Sequence, residues 1–236
     1  MKEFLRYILY TLTSILVLNG CSSTKFVPDN QYLLDKVEII SDNEQFNPAD
    51  LKEYLQQRPN FKVFGLMKWQ LYLYNWSGKN ENNWFNKQFR RMGEAPVLMD
   101  TTLITLSEKE LHLFLVNKGY INAQVTHSID TSKYKKATVT YTIKSNEPYR
   151  IRDYQMRLND PVIDSIARIK PRKHSWLSTA FHSSSDEYTS LIQDSILFDR
   201  DILDQERERI TKLLRYRGYY GFNKEYLTYL ADSSFR

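Results

Sequence analysis

The sequence predicts an α+β fold in which one small unit, built from a sheet and helices, occurs twice in tandem. An amphipathic helix that ends at Gly-Tyr and leads into a strand-like segment is found at Ser107–Val125 and again at Asp201–Phe222. Each copy places apolar residues on one helical face, in the same register before its glycine. After the first copy, two segments alternate polar and apolar residues, as the strands of a half-buried sheet do. A spacing of about a hundred residues is typical of two tandem domains rather than of a short-period solenoid.

The composition is that of an ordinary globular protein. The chain has 236 residues, of which 42% are hydrophobic, and a formal net charge of +5. One or two domains, each with a hydrophobic core, are therefore expected. Acidic residues stand beside most of the Lys and Arg residues, which argues against a nucleic-acid partner and is compatible with loose contact with an anionic lipid surface.

The first twenty residues have the pattern of an export signal. A short positively charged region precedes the apolar run Tyr7–Leu18, which is too short for a stable membrane span. Leu18–Cys21 resembles the lipobox of bacterial lipoproteins, apart from its asparagine. The resemblance implies that residues 1–20 are a signal peptide, that Cys21 carries the lipid, and that residues 21–31 form a tether. Cys21 is the only cysteine, so it has no internal disulfide partner; an ordinary free thiol is the alternative.

The first domain is predicted to span residues 32–146. Lys36–Ile40 has the pattern of a strand. Asn47-Pro48 marks a helix start, because an N-cap residue precedes proline at the first helical position. A capping box at Ser107 is predicted to begin the central helix. Beyond it, Ile121–Ile129 and Ala137–Ile143 alternate around a polar turn and predict an antiparallel hairpin with one buried and one wet face.

A long insertion, residues 60–106, separates the two helices of this domain. Four of its apolar residues have the spacing of one helical face: Leu66, Trp69, Leu73 and Trp76. One interpretation is a helix that docks on a partner or touches a membrane through Trp69 and Trp76, with Lys68, Arg90 and Arg91 near phosphates. The other is a helix packed on its own domain, which is favoured because aromatic stripes at helical spacing usually belong to a core.

The second domain is predicted to span residues 147–236 and to repeat the plan. Tyr149–Leu158 has the pattern of a strand, and Asp160-Pro161 repeats the N-cap and proline. An insertion at residues 170–200 is polar and serine-rich, which is typical of a mobile loop. Phe222–Leu230 is expected to be the second strand, and a third is not expected within these residues.

Together these features resemble tandem POTRA (polypeptide-transport-associated) domains, which occur on BamA/TamA-type outer-membrane assembly proteins. The resemblance covers roughly residues 32–236 and rests on Gly119-Tyr120, on Gly218-Tyr219 and on the proline-marked first helices. It implies two domains of the order strand–helix–helix–strand–strand, each a three-stranded sheet with two helices, the second lacking its last strand. With the lipobox, the chain resembles the amino-terminal part of a lipoprotein of the translocation-and-assembly-module type. The family's carboxy-terminal membrane barrel is expected to lie outside these residues.

The resemblance also implies a function and a location. It implies a non-enzymatic, periplasm-facing module at the outer membrane of a Gram-negative bacterium, held to the membrane by lipid on Cys21. The implied partners are unfolded outer-membrane polypeptides and an inner-membrane-anchored or periplasmic assembly partner. An envelope lipoprotein that tethers or scaffolds complexes without handling clients is the alternative.

A POTRA-like sheet is expected to bind polypeptides at an edge. An extended client can add itself as another strand, held by main-chain hydrogen bonds with little demand on its sequence. The candidate edge residues are Ile121, Asn122, Gln124, Val125, Thr126 and Ile129. The alternative is that the insertion at residues 60–106 covers this edge, so that it binds no client.

The sequence carries little sign of catalysis. His182–Asp186 contains the residue types of nucleophilic hydrolysis, but in a polar loop without a strained nucleophile turn. An envelope hydrolase acting through His182 therefore stays a remote alternative. The four histidines, His112, His127, His174 and His182, form no Cys/His/carboxylate cluster with metal-ligand spacing. His127 is interpreted as a hydrogen-bonded or rim histidine, and no catalytic residue, metal or cofactor is expected.

Overall fold

A computed structural model describes residues 23–65, 67–80, 82–168 and 190–232. The signal segment, Cys21, Leu66, His174 and His182 lie outside the described residues. The chain divides into two compact units. Unit 1 comprises the described residues up to His112 together with Gln124–Lys144, and unit 2 comprises Leu113–Ala123 and the described residues from Ser145 onward. No helix among the described residues is long and apolar enough to cross a membrane.

Unit 1 contains a mixed three-stranded sheet. The strands are β1 (Leu33–Ser41), β2 (Gln124–Asp130) and β3 (Lys136–Lys144), and their spatial order is β1-β3-β2. β3 is parallel to β1 and antiparallel to β2, so that Val139 lies between Val37 and Ile129. The predicted α+β fold with a three-stranded sheet is therefore confirmed.

Helices separate β1 from the hairpin. They are α1 (Pro48–Leu51), continued by a 3₁₀ turn at Lys52–Tyr54, then α2 (Trp69–Trp76), α3 (Trp84–Met92) and α4 (Thr101–Asn117). α1 begins as predicted, because the Asn47 side chain accepts a hydrogen bond from the Ala49 N–H and Pro48 occupies the first helical position. The order strand, helices, hairpin is the order that the resemblance implied.

The predicted capping box at Ser107 is wrong, because α4 begins six residues earlier. The Asp100 carboxylate accepts hydrogen bonds from the N–H groups of Thr102 and Leu103. Ser107 is fully buried, donates to the Leu103 carbonyl and accepts from the Gln56 N–H. A buried hydroxyl with two partners is satisfied within a helix as well as at its end.

The alternating burial predicted for the hairpin holds for one strand only. β3 buries every second residue: Ala137, Val139, Tyr141 and Ile143. In β2 only Val125 is buried, and Ile129 is 36% exposed. β3 has a strand on each side, whereas β2 lies at the edge, where fewer neighbours cover its inward side chains.

The segment expected to be a tether is packed on unit 1 instead. Val27 is buried in a cluster with Leu33 and Leu71, and Leu98 packs against that cluster. The Lys25 ammonium donates to the backbone carbonyls of Asn75 and Ser77 at 3.0 and 2.8 Å. Residues before Tyr32, the expected starting point of the domain, therefore take part in its packing.

The described part of unit 2 contains the end of α4, the helices α5 (Pro161–Ala167) and α6 (Arg200–Tyr216), and a 3₁₀ turn at Lys224–Tyr226. Asp160 caps α5 by accepting from the N–H groups of Val162 and Ile163, as its place before proline predicted. The core comprises the buried residues Ala167, Ile210, Leu214 and Leu227, with Met156, Leu158, Ile163, Ile166, Tyr219 and Phe222 packed against them. Residues 169–189, most of the polar insertion, lie outside the described residues.

The two repeated helices, α4 and α6, resemble each other in more features than the sequence pattern alone indicated. α4 and α6 each have 17 residues, and each follows a capping aspartate, Asp100 or Asp199. Each ends at a glycine with positive φ, +91° at Gly119 and +102° at Gly218. The next residue then donates its N–H to a carbonyl five positions earlier, at 2.9 and 3.1 Å.

The two strands predicted in unit 2 are wrong. Tyr149–Leu158 and Phe222–Leu230 form no strand, and within the described part of the chain this unit has only an isolated bridge between Arg150 and Leu197. The rings of Tyr154 and Tyr229 lie 6.4 Å apart, yet no backbone hydrogen bond joins the two described segments. In unit 1 the central strand β3 holds β1 and β2 in one sheet, and the described part of unit 2 has no equivalent of it.

Candidate polypeptide-binding edge

The two edges of the unit 1 sheet differ in how they are covered. At the start of β1, the Leu34 N–H donates to the Val97 carbonyl and the Met99 N–H donates to the Tyr32 carbonyl, both at 2.8 Å. Leu33 and Leu98 form an antiparallel bridge there. The end of the insertion therefore covers part of the β1 edge. The alternative interpretation had predicted that the insertion would cover the β2 edge instead.

The outer side of β2 has no backbone partner among the described residues. Its seven residues pair with β3 in a continuous register from Gln124 opposite Lys144 to Asp130 opposite Thr138. No hydrogen bond joins the β2 backbone to another described segment. Because successive residues of a strand turn their N–H and C=O groups to opposite sides, about half of these groups point away from β3.

The side chains along β2 do little to block an added strand. Gln124, Thr126 and Ser128 are exposed and uncharged, and the strand contains neither lysine nor proline, two residues that commonly protect sheet edges. Asp130, at the far end, is occupied locally, because its carboxylate accepts from the N–H and hydroxyl of Ser132. These two bonds hold the pKa of Asp130 below its usual value.

Two of the six predicted edge residues do not belong to the strand. Ile121 and Asn122 lie in a turn that follows the end of α4, because the Ala123 N–H donates to the Tyr120 carbonyl. The Asn122 carbonyl accepts from the Asn146 side chain at 2.7 Å. The remaining predicted residues, Gln124, Val125, Thr126 and Ile129, lie on β2.

His127 pairs with a carboxylate on α4. Its Nδ1 contacts Glu108 Oε2, and its ring centroid lies 6.5 Å from that of Tyr141. The Tyr141 hydroxyl donates to the Ile104 carbonyl at 3.4 Å. Burial of this phenol is the main reason why its pKa is raised. The pair fixes the imidazole toward α4, which leaves the outer backbone of β2 unobstructed by this side chain.

The predicted docking residues are distributed over two helices. Trp69 and Trp76 lie on α2 and are 47% and 52% exposed. The helix packs on its own domain, as the favoured interpretation had it, but through Leu71 and not through these two aromatic residues. The residues that α2 buries are Leu71 and Asn75. A hydrophobic stripe does not by itself determine which side of a short helix faces the domain.

The basic residues of this insertion have different environments. Arg90, on α3, lies over the rings of Phe26 and Tyr74, with its guanidinium carbon 5.3 and 5.7 Å from the centroids. It also donates to the Gly78 carbonyl at 3.2 Å. The Lys68 ammonium is buried and paired with Asp35 at 2.8 Å. Burial lowers the pKa of Lys68 more than Asp35 raises it. Arg91 is exposed.

The described residues hold no candidate metal site. No group of three or more His, Cys, Asp or Glu side chains among them could hold a metal ion. The alternative of a hydrolase rests on His182, which lies outside the described residues.

No protein-family model matches the sequence, and no curated protein matches it. The structure is similar to the crystal structure of Haemophilus influenzae BamA POTRA3-5, with 12% sequence identity over 82% of this chain and 89% of that chain. The TM-score is 0.26, which does not by itself establish a shared fold. The fold assignment therefore depends on the sheet order and the helices described above.

Proposed function

We propose that this chain is a periplasm-facing module of an outer-membrane protein assembly or translocation machine, and that it binds extended polypeptides by adding them to β2. The observation that supports this most directly is the unpaired outer side of β2, beside a β1 edge that its own chain covers. Main-chain bonding tolerates many sequences, which suits partners that are unfolded outer-membrane polypeptides. An inner-membrane-anchored or periplasmic assembly partner could use the same edge.

The proposal includes attachment to the outer membrane by lipid on Cys21. We expect that cells producing the chain in a Gram-negative host and fed labelled palmitate will incorporate label into the wild type. Cys21→Ser is expected to lose the label, because it removes the only thiol in the chain. Label retained on Cys21→Ser would contradict this part of the proposal.

Proline substitution at β2 tests the edge directly. The Val125→Pro and Thr126→Pro variants place proline at successive residues, whose N–H groups point to opposite sides of the strand. One of the two therefore loses an outward N–H, whereas the other loses a bond to β3. The variant that retains the circular dichroism of the wild type is expected to bind a fluorescent alternating Thr-Val peptide about tenfold more weakly, as the loss of about 1.4 kcal/mol predicts.

Amide hydrogen exchange measures peptide binding at β2 in the wild-type chain, without any variant. Saturating the wild-type chain with the same peptide is expected to slow amide exchange at alternate residues of β2. If no β2 amide is slowed, and the folded proline variant binds like the wild type, the edge does not bind polypeptides. If the β2 edge binds no peptide but the chain still binds an assembly partner, the tethering or scaffolding alternative would be favoured.

A further inference from the structure

α3 is an amphipathic helix whose apolar side is uncovered. None of its nine residues is buried, and Trp84, Phe85 and Met92 are 63%, 63% and 62% exposed. Positions i, i+1 and i+8 of a helix fall within about 100° of one another, so these three side chains share a face. An apolar helix face normally packs on its own domain, and this one does not.

The exposed face continues onto α2. The rings of Trp69 and Trp76 lie 6.2 Å apart, and Trp76 meets Phe89 of α3 edge-on at 6.3 Å. We call this surface the aromatic patch, and it comprises Trp69, Trp76, Trp84, Phe85, Phe89 and Met92. A contiguous patch of large apolar side chains marks an interaction surface, whereas single exposed apolar residues do not.

The charged side chains on the two helices of the patch are all basic. Neither α2 nor α3 contains Asp or Glu. Lys87 and Arg91 follow Trp84 by three and seven residues, so they lie along the border of its face, and both are exposed. Tryptophan and phenylalanine beside lysine and arginine make up the composition of helices that lie in the headgroup region of a bilayer.

The first described residues of the chain contact α2. The Ser23 carbonyl accepts from the Asn75 side chain at 3.2 Å, and Phe26 meets Tyr74 edge-on at 5.4 Å. Cys21, to which the proposed function assigns the lipid, precedes Ser23 by two residues in the sequence. A link of two residues is short, so a lipid at this position and α2 would meet the same membrane.

We propose that the aromatic patch rests on an anionic lipid bilayer, with its aromatic rings at the level of the headgroups and Lys87 and Arg91 at the lipid phosphates. The proposal deepens the proposed function by naming the surface that faces the membrane. It rests on the proposed function in one respect, the identity of the membrane, which is the outer membrane. The patch would fix the orientation of unit 1 on the lipid, because a helix face allows less rotation than a single acyl anchor.

The test uses the chain from Ser22 onward, which contains every described element but neither the apolar leader nor Cys21. Sedimentation with vesicles of phosphatidylethanolamine and phosphatidylglycerol is expected to bring down the wild type and to shift its tryptophan emission to the blue. Trp84→Ser combined with Phe85→Ser is expected to weaken partitioning about tenfold or more, since each large apolar side chain contributes on the order of 1 kcal/mol or more. Replacing phosphatidylglycerol with phosphatidylcholine, or raising the salt concentration, is expected to weaken it as well.

A matched control removes two aromatic side chains from unit 2 that are more exposed than Trp84 and Phe85. Tyr216 and Tyr220 are 81% and 82% exposed, so Tyr216→Ser combined with Tyr220→Ser should partition like the wild type. The proposal is overturned if the wild type stays in solution, or if both double variants lose binding equally. It is also overturned if sedimentation velocity shows a dimer that Trp84→Ser with Phe85→Ser dissociates, because a second copy would then cover the patch. Peptide binding at β2 is measured in a separate experiment. The proposed function can therefore fail while the membrane proposal holds, and the reverse is also possible.

Discussion

Replacing Arg209 with Met is expected to lower the free energy of unfolding of unit 2 by about 3–5 kcal/mol. Glu206 is fully buried and Arg209 is 6% exposed. The guanidinium donates to both carboxylate oxygens at 2.8 Å, through Nε and Nη2. The same carboxylate accepts the Leu191 N–H at 2.9 Å. Removal of the cation would leave a buried negative charge and would remove two of these three hydrogen bonds, leaving the bond from the Leu191 N–H.

The matched control removes both charges. Glu206→Leu combined with Arg209→Met leaves no buried charge, and a buried pair replaced by apolar residues of similar size is often neutral in stability. The double variant is therefore expected to be closer to the wild type than Arg209→Met is. Urea unfolding followed by circular dichroism measures the free energies, and hydrogen exchange of α6 peptides tells whether the loss is confined to unit 2. A single variant no less stable than the double would show that the pair is not the source of the effect.

The pH dependence gives an independent check on the same pair. Burial raises the pKa of Glu206, but the Arg209 guanidinium and the Leu191 N–H outweigh it and hold that pKa below its ordinary value of 4.5. The stabilisation from this carboxylate is therefore complete above pH 4.5 and is lost as the pH falls through the lower pKa of the folded state. In Arg209→Met, burial is expected to raise the pKa of Glu206 instead. Acidification should then narrow the gap in stability between the wild type and the variant.

Replacing Gly119 with Ala is expected to destabilise unit 2 by roughly 2–5 kcal/mol, and replacing Gly218 with Ala by only about 1–2 kcal/mol. Both glycines have positive φ, so both substitutions carry the backbone cost of a left-handed residue. At Gly119 an added Cβ would also lie 2.3 Å from the Phe198 carbonyl oxygen, whereas at Gly218 it would meet nothing within 4 Å.

The close approach at Gly119 arises from a chain of backbone hydrogen bonds. The Tyr149 N–H donates to the Gly119 carbonyl at 2.8 Å, and the Phe198 N–H donates to the Tyr149 carbonyl at 2.9 Å. The clash is with backbone, which cannot move without breaking these bonds. Urea unfolding of the two variants side by side measures the difference. Equal losses would mean that the segment at Phe198 can move aside at little cost.

The open edge and the aromatic patch illustrate what sequence patterns leave undecided. The alternation of residues 121–129 predicted a strand, but only the order β1-β3-β2 makes β2 an edge. The insertion at residues 60–106 was expected as a possible cover for that edge, whereas its backbone bonds at Val97 and Met99 lie on the β1 side. Likewise, the spacing of Trp69 and Trp76 was compatible with a core, and burial of Leu71 and Asn75 put the opposite side of α2 inward. The exposed face of α3 has a signal in the sequence, because the run WFNKQFRRM is amphipathic at helical spacing.

The sequence by itself determined the features that act over a few residues: the capped starts of α1 and α5, the glycine ends of α4 and α6, their repetition, and the α+β class. Caps, positive φ and helical periodicity depend on neighbours within a turn or two, so they can be recognised in a sequence. The tertiary structure alone decided where α4 begins, which edge stays unpaired, and that Tyr149–Leu158 and Phe222–Leu230 do not pair as strands. These outcomes depend on hydrogen-bond partners and covering side chains far away along the chain, which a local pattern does not contain.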